Sequence, residues 1–487
     1  MSTPTSTRIL IIGTGFAGLG MAIRLKQRGI DDFIVLERDV GVGGTWRVNT
    51  YPGAACDIMS NLYSFSFEPN PGWSRTYPPQ AEILAYLERC ADKYGVRPHV
   101  RFGRDVVRAV FDEARARWTV TTASGETYEA SVVVSGTGGL SRPSYPDIEG
   151  LRSFEGTMFH SARWDHAADL RGKTVGVIGT GASAIQFVPK VAEVAGKLRL
   201  FQRTPPWIMP KEDHAVSALR RAMYRLVPDT QRLVRLGIYC RNELAALGFV
   251  VDPKLMRLAE RMCRRHLERA VADPALRERL TPGYMVGCKR ILLSNDYYPA
   301  LQRPNVELVT DGIDRVVGEG VITRDGTLRK LDALILGTGF YAAEQVAPFE
   351  VKGRAGVDLA EVWRDGAEAY LGTTVSGFPN WFMIVGPNTG LGHSSMVYII
   401  ESQIAYILSA LEVLESPGVR FVDVKAREQR LYNRRLHERL RRSVWDSGCA
   451  SWYRTRDGKN TVLWPGFTFE FRAATRSLDV DDYEVVC

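Results

Sequence analysis

Two glycine-punctuated turns, each between an apolar strand and a helix, leave few folds open to this chain. In the first, RILIIG from Arg8 reads as a buried strand, followed by a glycine turn, a helix (GLGMAIRLKQRG) and a second strand (DFIVLER). The turn runs Gly13-Thr14-Gly15-Phe16-Ala17-Gly18, and each glycine in G-x-G-x-x-G has separate work. The first makes the turn, the second lets backbone meet a pyrophosphate, and the third lets helix pack on strand. Glu37 ends the second strand twenty-four residues after Gly13, where a carboxylate accepts hydrogen bonds from a ribose diol, and Arg38 follows it.

The same order of elements returns at Lys173, with KTVGVIG as strand, TGASAIQFVPKVAEVA as helix and KLRLFQR as second strand. Here the motif is Gly179-Thr180-Gly181-Ala182-Ser183-Ala184, a small residue standing for the third glycine, with Gln186 in the following turn. Twenty-four residues after Gly179 stands Arg203, followed by Thr204, in place of an acid. A cation and a hydroxyl suit a 2′-phosphate that a carboxylate would repel, so this unit is expected to take NADPH. The competing reading is a surface arginine and a site for NADH. Two further glycine-rich strand ends, VVVSGTGG (Val132–Gly139) and ALILGTGF (Ala333–Phe340), read as places of close backbone approach, or else as tight turns.

The expected fold is therefore α/β, with two Rossmann-like dinucleotide-binding domains. A β-rich stretch lies between the units, and the proline-marked RPSYPDIEG reads as a crossing between domains. From about Lys211 to Leu280 the pattern is helical; strands resume, and a helix from Ser395 to Leu414 opens the C-terminal part. The division expected is 1–142 with 342–487 for the first domain, 143–210 with 281–341 for the second, and 211–280 as a helical insertion in the second.

Composition excludes several classes. A net charge of +8 over 487 residues is modest, and the arginines between Arg220 and Arg279 alternate with Leu, Met and Ala as on a solvated helix face. No nucleic-acid partner is expected. The seven cysteines (Cys56, Cys90, Cys240, Cys263, Cys288, Cys449, Cys487) are scattered without a C-x-x-C, so free thiols are expected, and no metal. With a polar start and no stretch read as a membrane span, a cytoplasmic location is the default expectation. The sequence carries no signal for an oligomeric state.

Between the linker and the second unit lies Phe154-Glu-Gly156-Thr-Met-Phe-His160-Ser-Ala-Arg-Trp164-Asp165. This F-x-G-x-x-x-H-x-x-x-W-D pattern resembles the fingerprint of type I Baeyer–Villiger monooxygenases. GGTW (Gly43–Trp46), YPGAACD (Tyr51–Asp57), QRTP (Gln202–Pro205), GCKR (Gly287–Arg290) and VGPN (Val385–Asn388) extend the likeness over nearly the whole chain. The resemblance implies FAD in the first unit and NADPH in the second, with a small-molecule ketone and O₂ as reactants. It implies oxidation of ketones to esters or lactones through a flavin C4a-peroxide. The nearest rival is a flavin monooxygenase acting on amine nitrogen or sulfide sulfur, a group that tends to lack the Trp-Asp ending.

By the same resemblance Arg290 stabilises the developing anion and Asp57 pairs with it; a guanidinium suits this because it stays charged. Gly43, Gly44, Thr45, Trp46, Asp57, Tyr63 and Met396 would surround the flavin, with Val106 touching the adenine through its backbone. Lys289 would join Arg203 and Thr204 at the 2′-phosphate, and Trp452 would lie near the nicotinamide. Phe154, Gly156, His160, Trp164 and Asp165 would form a linker coupling the two domains, His160 being structural. Many members carry arginine where this chain has Ala55. The small, glycine-rich loop Thr389–Ser395 would border the substrate pocket and leave room for a bulky ketone.

Overall fold

The computed structural model describes residues 4–341 and 349–487; the expected boundary at residue 342 lies outside the described residues. Strand Thr5–Ile12 runs parallel between Phe33–Leu36 and Thr127–Ser135, as the first glycine unit requires. Its residues Ile9, Leu10 and Ile11 are wholly buried in succession, which marks a strand covered on both faces. Ile9 and Ile11 enter one core, together with helix Phe16–Gln27; Leu10 and Ile12 enter another on the opposite face. Each such side chain contributes about 1.5–3 kcal/mol of burial. The sheet is extended by an antiparallel meander, Val106–Asp112, Arg117–Thr122 and Thr127–Ser135. Glu350–Lys352 and Trp381–Met383, from the far end of the chain, pair into the same sheet.

A second sheet has five parallel strands in the order Val306–Val309, Lys197–Phe201, Thr174–Ile178, Ala333–Leu336, Thr157–His160. Helix Ala184–Val194 packs on one face, burying Ile185, Phe187, Val188 and Val191 with Val175 and Val177. The middle of the fingerprint segment, Thr157–His160, is thus an edge strand of this sheet, and its His160 end meets the crossing between sheets. Phe154 is buried in that sheet's core, and a Cβ on Gly156 would lie 2.5 Å from the Asp332 carbonyl oxygen.

The chain crosses between the sheets twice, and the crossings run side by side. Ser144 N–H donates to the Gly339 carbonyl (2.9 Å), the Thr338 hydroxyl to the Ser144 carbonyl (2.5 Å), and Tyr341 N–H to the Arg142 carbonyl (3.1 Å). His160 packs against both, its ring 5.6 Å from Tyr145 and 6.0 Å from Phe340.

The expected helical stretch comprises Ala218–Leu226, Pro228–Val250, Met256–Ala270 and Pro274–Leu280, with Arg225, Arg232, Arg257, Arg261, Arg264 and Arg265 turned to solvent. Contrary to the reading that no stretch has the character of a membrane span, helix Met396–Leu414, at 19 residues, is long and apolar enough to cross a membrane by length and composition. In the fold its Ile400, Ile404, Ile407 and Leu411 are instead buried in the first core, alongside Phe16–Gln27.

Candidate active site

The first glycine turn is tight because backbone from another strand presses on it. Gly13 has φ +96°, and a Cβ there would sit 2.8 Å from the Gly136 carbonyl oxygen; on Gly18 it would lie 1.9 Å from the Gly13 oxygen. In the second unit Gly179 (φ +110°) stands in the same relation to Gly337, whose oxygen a Cβ would approach to 2.3 Å. The strand ends VVVSGTGG and ALILGTGF are therefore the walls of the two turns. At the middle positions the surroundings open: a Cβ on Gly181 would meet nothing within 4 Å, and one on Gly15 only the Gly44 Cα at 3.8 Å. Phe16 and Ala17 turn into the core, while Ala182 is exposed and Ala184 buried.

Glu37 is 6% exposed at the end of its strand. Its Oε2 accepts from Thr14 N–H (2.8 Å) and hydroxyl (2.6 Å), and Oε1 from Asp39 N–H (2.9 Å), which aims the carboxylate across the mouth of the turn. Arg38 is exposed and donates to the Ser141 carbonyl (3.2 Å). Gly44 lies against Gly15, Thr45 begins a short helix, and Trp46 Nε1–H donates to the Tyr63 hydroxyl (2.9 Å). Tyr63 stands edge-on to Phe16 with ring centres 5.1 Å apart. Val106 is buried at a strand start on the same sheet.

Arg290 reaches Asp57 from a distant part of the chain. Its Nε and Nη2 both donate to Oδ2, at 2.9 and 2.6 Å. The facing carboxylate holds the guanidinium above its ordinary pKa despite the opposing effect of burial, so the cation is permanent. Tyr453 lies by the same pair: its hydroxyl is buried with no hydrogen-bond partner among the described residues, and burial pushes its pKa up to about 12 against the opposing pull of Arg290. Trp452, expected near the nicotinamide, is 44% exposed and stacks at a tilt on Tyr453, ring centres 4.4 Å apart. No local pattern distinguishes the two in sequence.

Arg203 is exposed, and burial together with Arg203 lowers the Lys289 pKa, so two cations share one neighbourhood. Among the described residues neither has an acidic partner; Lys289 Nζ lies over the Tyr284 ring at 4.7 Å. The Thr180 hydroxyl donates to the Thr204 carbonyl (3.1 Å), joining the glycine turn to this edge.

Gln186, expected at the second nucleotide site, also bridges to the YPGAACD loop. Its amide donates to the Ala55 carbonyl and accepts from Ala55 N–H, both at 3.1 Å, and Tyr51 hydroxyl also donates to it at 3.3 Å. Gln186 thereby clasps the YPGAACD loop to the second unit. Trp164 packs against Phe159 and Phe187, and Asp165 accepts from Ala167 N–H (2.9 Å) at the surface.

The loop Thr389–Ser395 is buried, and its glycines serve close packing. A Cβ on Gly390 would lie 2.7 Å from the Val462 oxygen, and on Gly392 2.9 Å from Trp445. His393 has its Nε2 3.5 Å from Glu243, a buried carboxylate on helix Pro228–Val250 that also accepts from Thr468. Burial raises the Glu243 pKa, but the adjacent His393 ring and the hydrogen bonds from Thr468 outweigh it and hold the group below its ordinary value. Met396 follows the loop, half-buried at its helix start. Gln403, further along that helix, takes Val385 N–H (2.8 Å) and donates to the Gly372 carbonyl (2.9 Å), pinning the VGPN turn. The sequence reading missed Glu243, Gln403 and Tyr453.

The free-thiol expectation fails at two positions: Cys288 and Cys449 are joined as a disulfide, and the other five are free.

This arrangement has close relatives. A family model described as pyridine nucleotide-disulphide oxidoreductase matches residues 10–226. A Baeyer–Villiger monooxygenase of Pseudomonas aeruginosa is 50% identical over 99% of this chain and 93% of its own length. The chain belongs to the Baeyer–Villiger monooxygenase family. A second member, from Streptomyces coelicolor, is 49% identical over 98% of the chain and 92% of its own length. Among solved structures, an oxidised steroid monooxygenase bound to NADP superposes with a TM-score of 0.88 at 31% identity, covering 99% of this chain and 100% of that one. A closed cyclohexanone monooxygenase gives 0.89 at 28%, covering 99% of each. Within this family the fold is the expected pair of Rossmann-like units.

Proposed function

We propose that the protein binds FAD at Gly13–Gly18 and Glu37 and NADPH at Gly179–Ala184, Arg203, Thr204 and Lys289, and oxidises ketones to esters or lactones with O₂. The observation carrying this reading is the Arg290–Asp57 pair, a permanent cation fixed by two hydrogen bonds to one carboxylate oxygen. When bound, FAD supplies a ring that accepts hydride from NADPH and activates O₂. The protein's own residues do the rest. The open middle positions Gly15 and Gly181 admit a pyrophosphate to each turn, and Glu37 is aimed to accept from a ribose. Arg203 and Lys289 form an uncompensated dicationic edge suited to a 2′-phosphate. Arg290 offers fixed positive charge where a carbonyl oxygen becomes anionic, with Asp57 setting its orientation. Tyr453, beside the pair, is buried in one core with Trp445 and Leu391, while the side chains of Arg290 and Asp57 keep 31% and 27% exposure.

The division into domains at 1–142 with 342–487 and 143–210 with 281–341, around the insertion 211–280, follows the two sheets and belongs to the same proposal. So does a cytoplasmic location. Supplying NADPH and O₂ with a panel of ketones, sulfides and amines tests the activity. Ester from ketone is expected; sulfoxide or N-oxide alone would overturn it in favour of a heteroatom oxygenase.

A further inference from the structure

The segments carrying Arg290 and Tyr453 come from distant parts of the chain and are joined by one covalent bond, Cys288–Cys449, across 161 residues. Cys288 is fully buried and immediately precedes Lys289 and Arg290; Cys449 is partly exposed, four residues before Tyr453. Tyr453 itself is buried in one core with Val286, and its carbonyl accepts from Thr461 N–H (3.3 Å), but little else ties the residues before it, 447–452, to the first segment. Ser447, Gly448 and Ala450 are exposed, and among the described residues no backbone hydrogen bond joins 447–452 to 285–290. Arg454 ties its own segment back to Trp445 and Asp446.

We propose that Cys288–Cys449 is a reversible thiol/disulfide site, closed by hydrogen peroxide and opened by a dithiol, whose state governs how much reducing power is lost as peroxide. The proposal rests on the oxygenase reading above. Turnover that yields no product follows O₂ + NADPH + H⁺ → H₂O₂ + NADP⁺. The thiolate of partly exposed Cys449 attacks one peroxide oxygen; the O–O bond breaks, hydroxide leaves, and a sulfenic acid forms. The Cys288 sulfur then displaces that hydroxyl, its proton leaving with it as water, so two thiols and one H₂O₂ give a disulfide and two H₂O. A dithiol reverses the state by attack at Cys449, expelling the Cys288 thiolate and closing its own disulfide. With the bond open, residues 447–452 lose their covalent tie beside Arg290, the seat of Tyr453 loosens, and leakage rises. The peroxide released then restores the bond. In a reducing compartment a cross-link needs such renewal to persist.

The test uses the FAD-loaded full chain, reduced with dithiothreitol, desalted without air, then given NADPH and air without ketone. Iodoacetamide labelling with peptide mass spectrometry reads Cys288 and Cys449; peroxide formed per NADPH consumed reads leakage. Both thiols are expected to label at first and then to become protected, leakage falling severalfold in step, with catalase preventing both changes. Cys449→Ser is expected to leak at a constant elevated ratio that neither dithiothreitol nor peroxide alters. Thiols that stay labelled after turnover and after added peroxide, or a dithiothreitol effect confined to thermal stability with an unchanged peroxide ratio, would overturn the proposal. Anaerobic bleaching of the flavin by NADPH, measured alongside, reports separately on the oxygenase reading. If it is absent, added peroxide with labelling and tryptic cleavage at Arg454 still tests the pair, and equal cleavage of both states would sink it.

Discussion

Arg290 and Asp57, 233 residues apart, meet through two N–H groups on a single carboxylate oxygen. That geometry fixes the plane of the guanidinium as well as its position, which a lysine ammonium could not do. Arg290→Ala and Arg290→Lys are both expected to keep anaerobic flavin reduction by NADPH while ester formation falls by roughly 10²-fold or more. Stopped-flow flavin absorbance and product analysis separate the two steps. Wild-type ester yield in either variant would refute the role.

The cationic edge makes a graded prediction. Removing one charge-assisted contact costs about 1.5–3 kcal/mol, so Arg203→Ala or Lys289→Ala should raise the KM for NADPH roughly tenfold or more. The KM for NADH should barely move. Steady-state kinetics with both coenzymes reads the difference, and equal effects on both would show that the edge does not hold the 2′-phosphate.

Glycines within one motif should fail differently. Gly179→Ala places a Cβ 2.3 Å from the Gly337 oxygen at φ +110°, so it should destabilise by at least about 1–3 kcal/mol, visible in thermal denaturation of the apoprotein. Gly181→Ala meets nothing within 4 Å and should leave the apoprotein Tm unchanged while weakening NADPH binding. A lowered apoprotein Tm for Gly181→Ala would contradict the open-cradle reading.

His160 gives a pH dependence with a definite sign. Burial pushes its pKa down to about 4, partly offset by the backbone at Gly339, and its Nδ1 accepts from Ala162 N–H (3.0 Å), so the ring is neutral in the fold. Between its unfolded pKa of about 6.5 and about 4 only the unfolded chain takes up the proton, so stability falls across that window as pH falls, by up to about 3 kcal/mol, and this contribution is flat above it. Urea denaturation of wild type and His160→Gln from pH 7 to 4 should show a shallower loss in the variant. Parallel curves would exclude His160 as the source.

Breaking the Gln186 clasp tests how the two units are held together. Gln186→Leu leaves the Ala55 backbone groups without their partner and should raise peroxide release per NADPH more than it raises the KM for NADPH. An effect on KM alone would return Gln186 to the nucleotide.

Strand, turn and helix of each unit were legible because their signals are local: apolar runs with a fixed period, glycines where φ is positive, and one residue at a fixed distance marking the ribose edge. Glu37 against Arg203 is such a signal, and the expectation of two different nucleotide sites rests on it. What the tertiary structure alone decided were matters of long-range approach and side-chain direction. Gly136 and Gly337 press on the turns only because their strands are neighbours in the sheets. Gln186 faces a loop across the domain boundary, and Tyr453 turns inward to Arg290 while adjacent Trp452 turns out. Cys288 and Cys449 look unrelated until the fold brings their Cα atoms to 6.2 Å. No periodicity encodes such pairings, since they depend on where two crossings place separate stretches of chain.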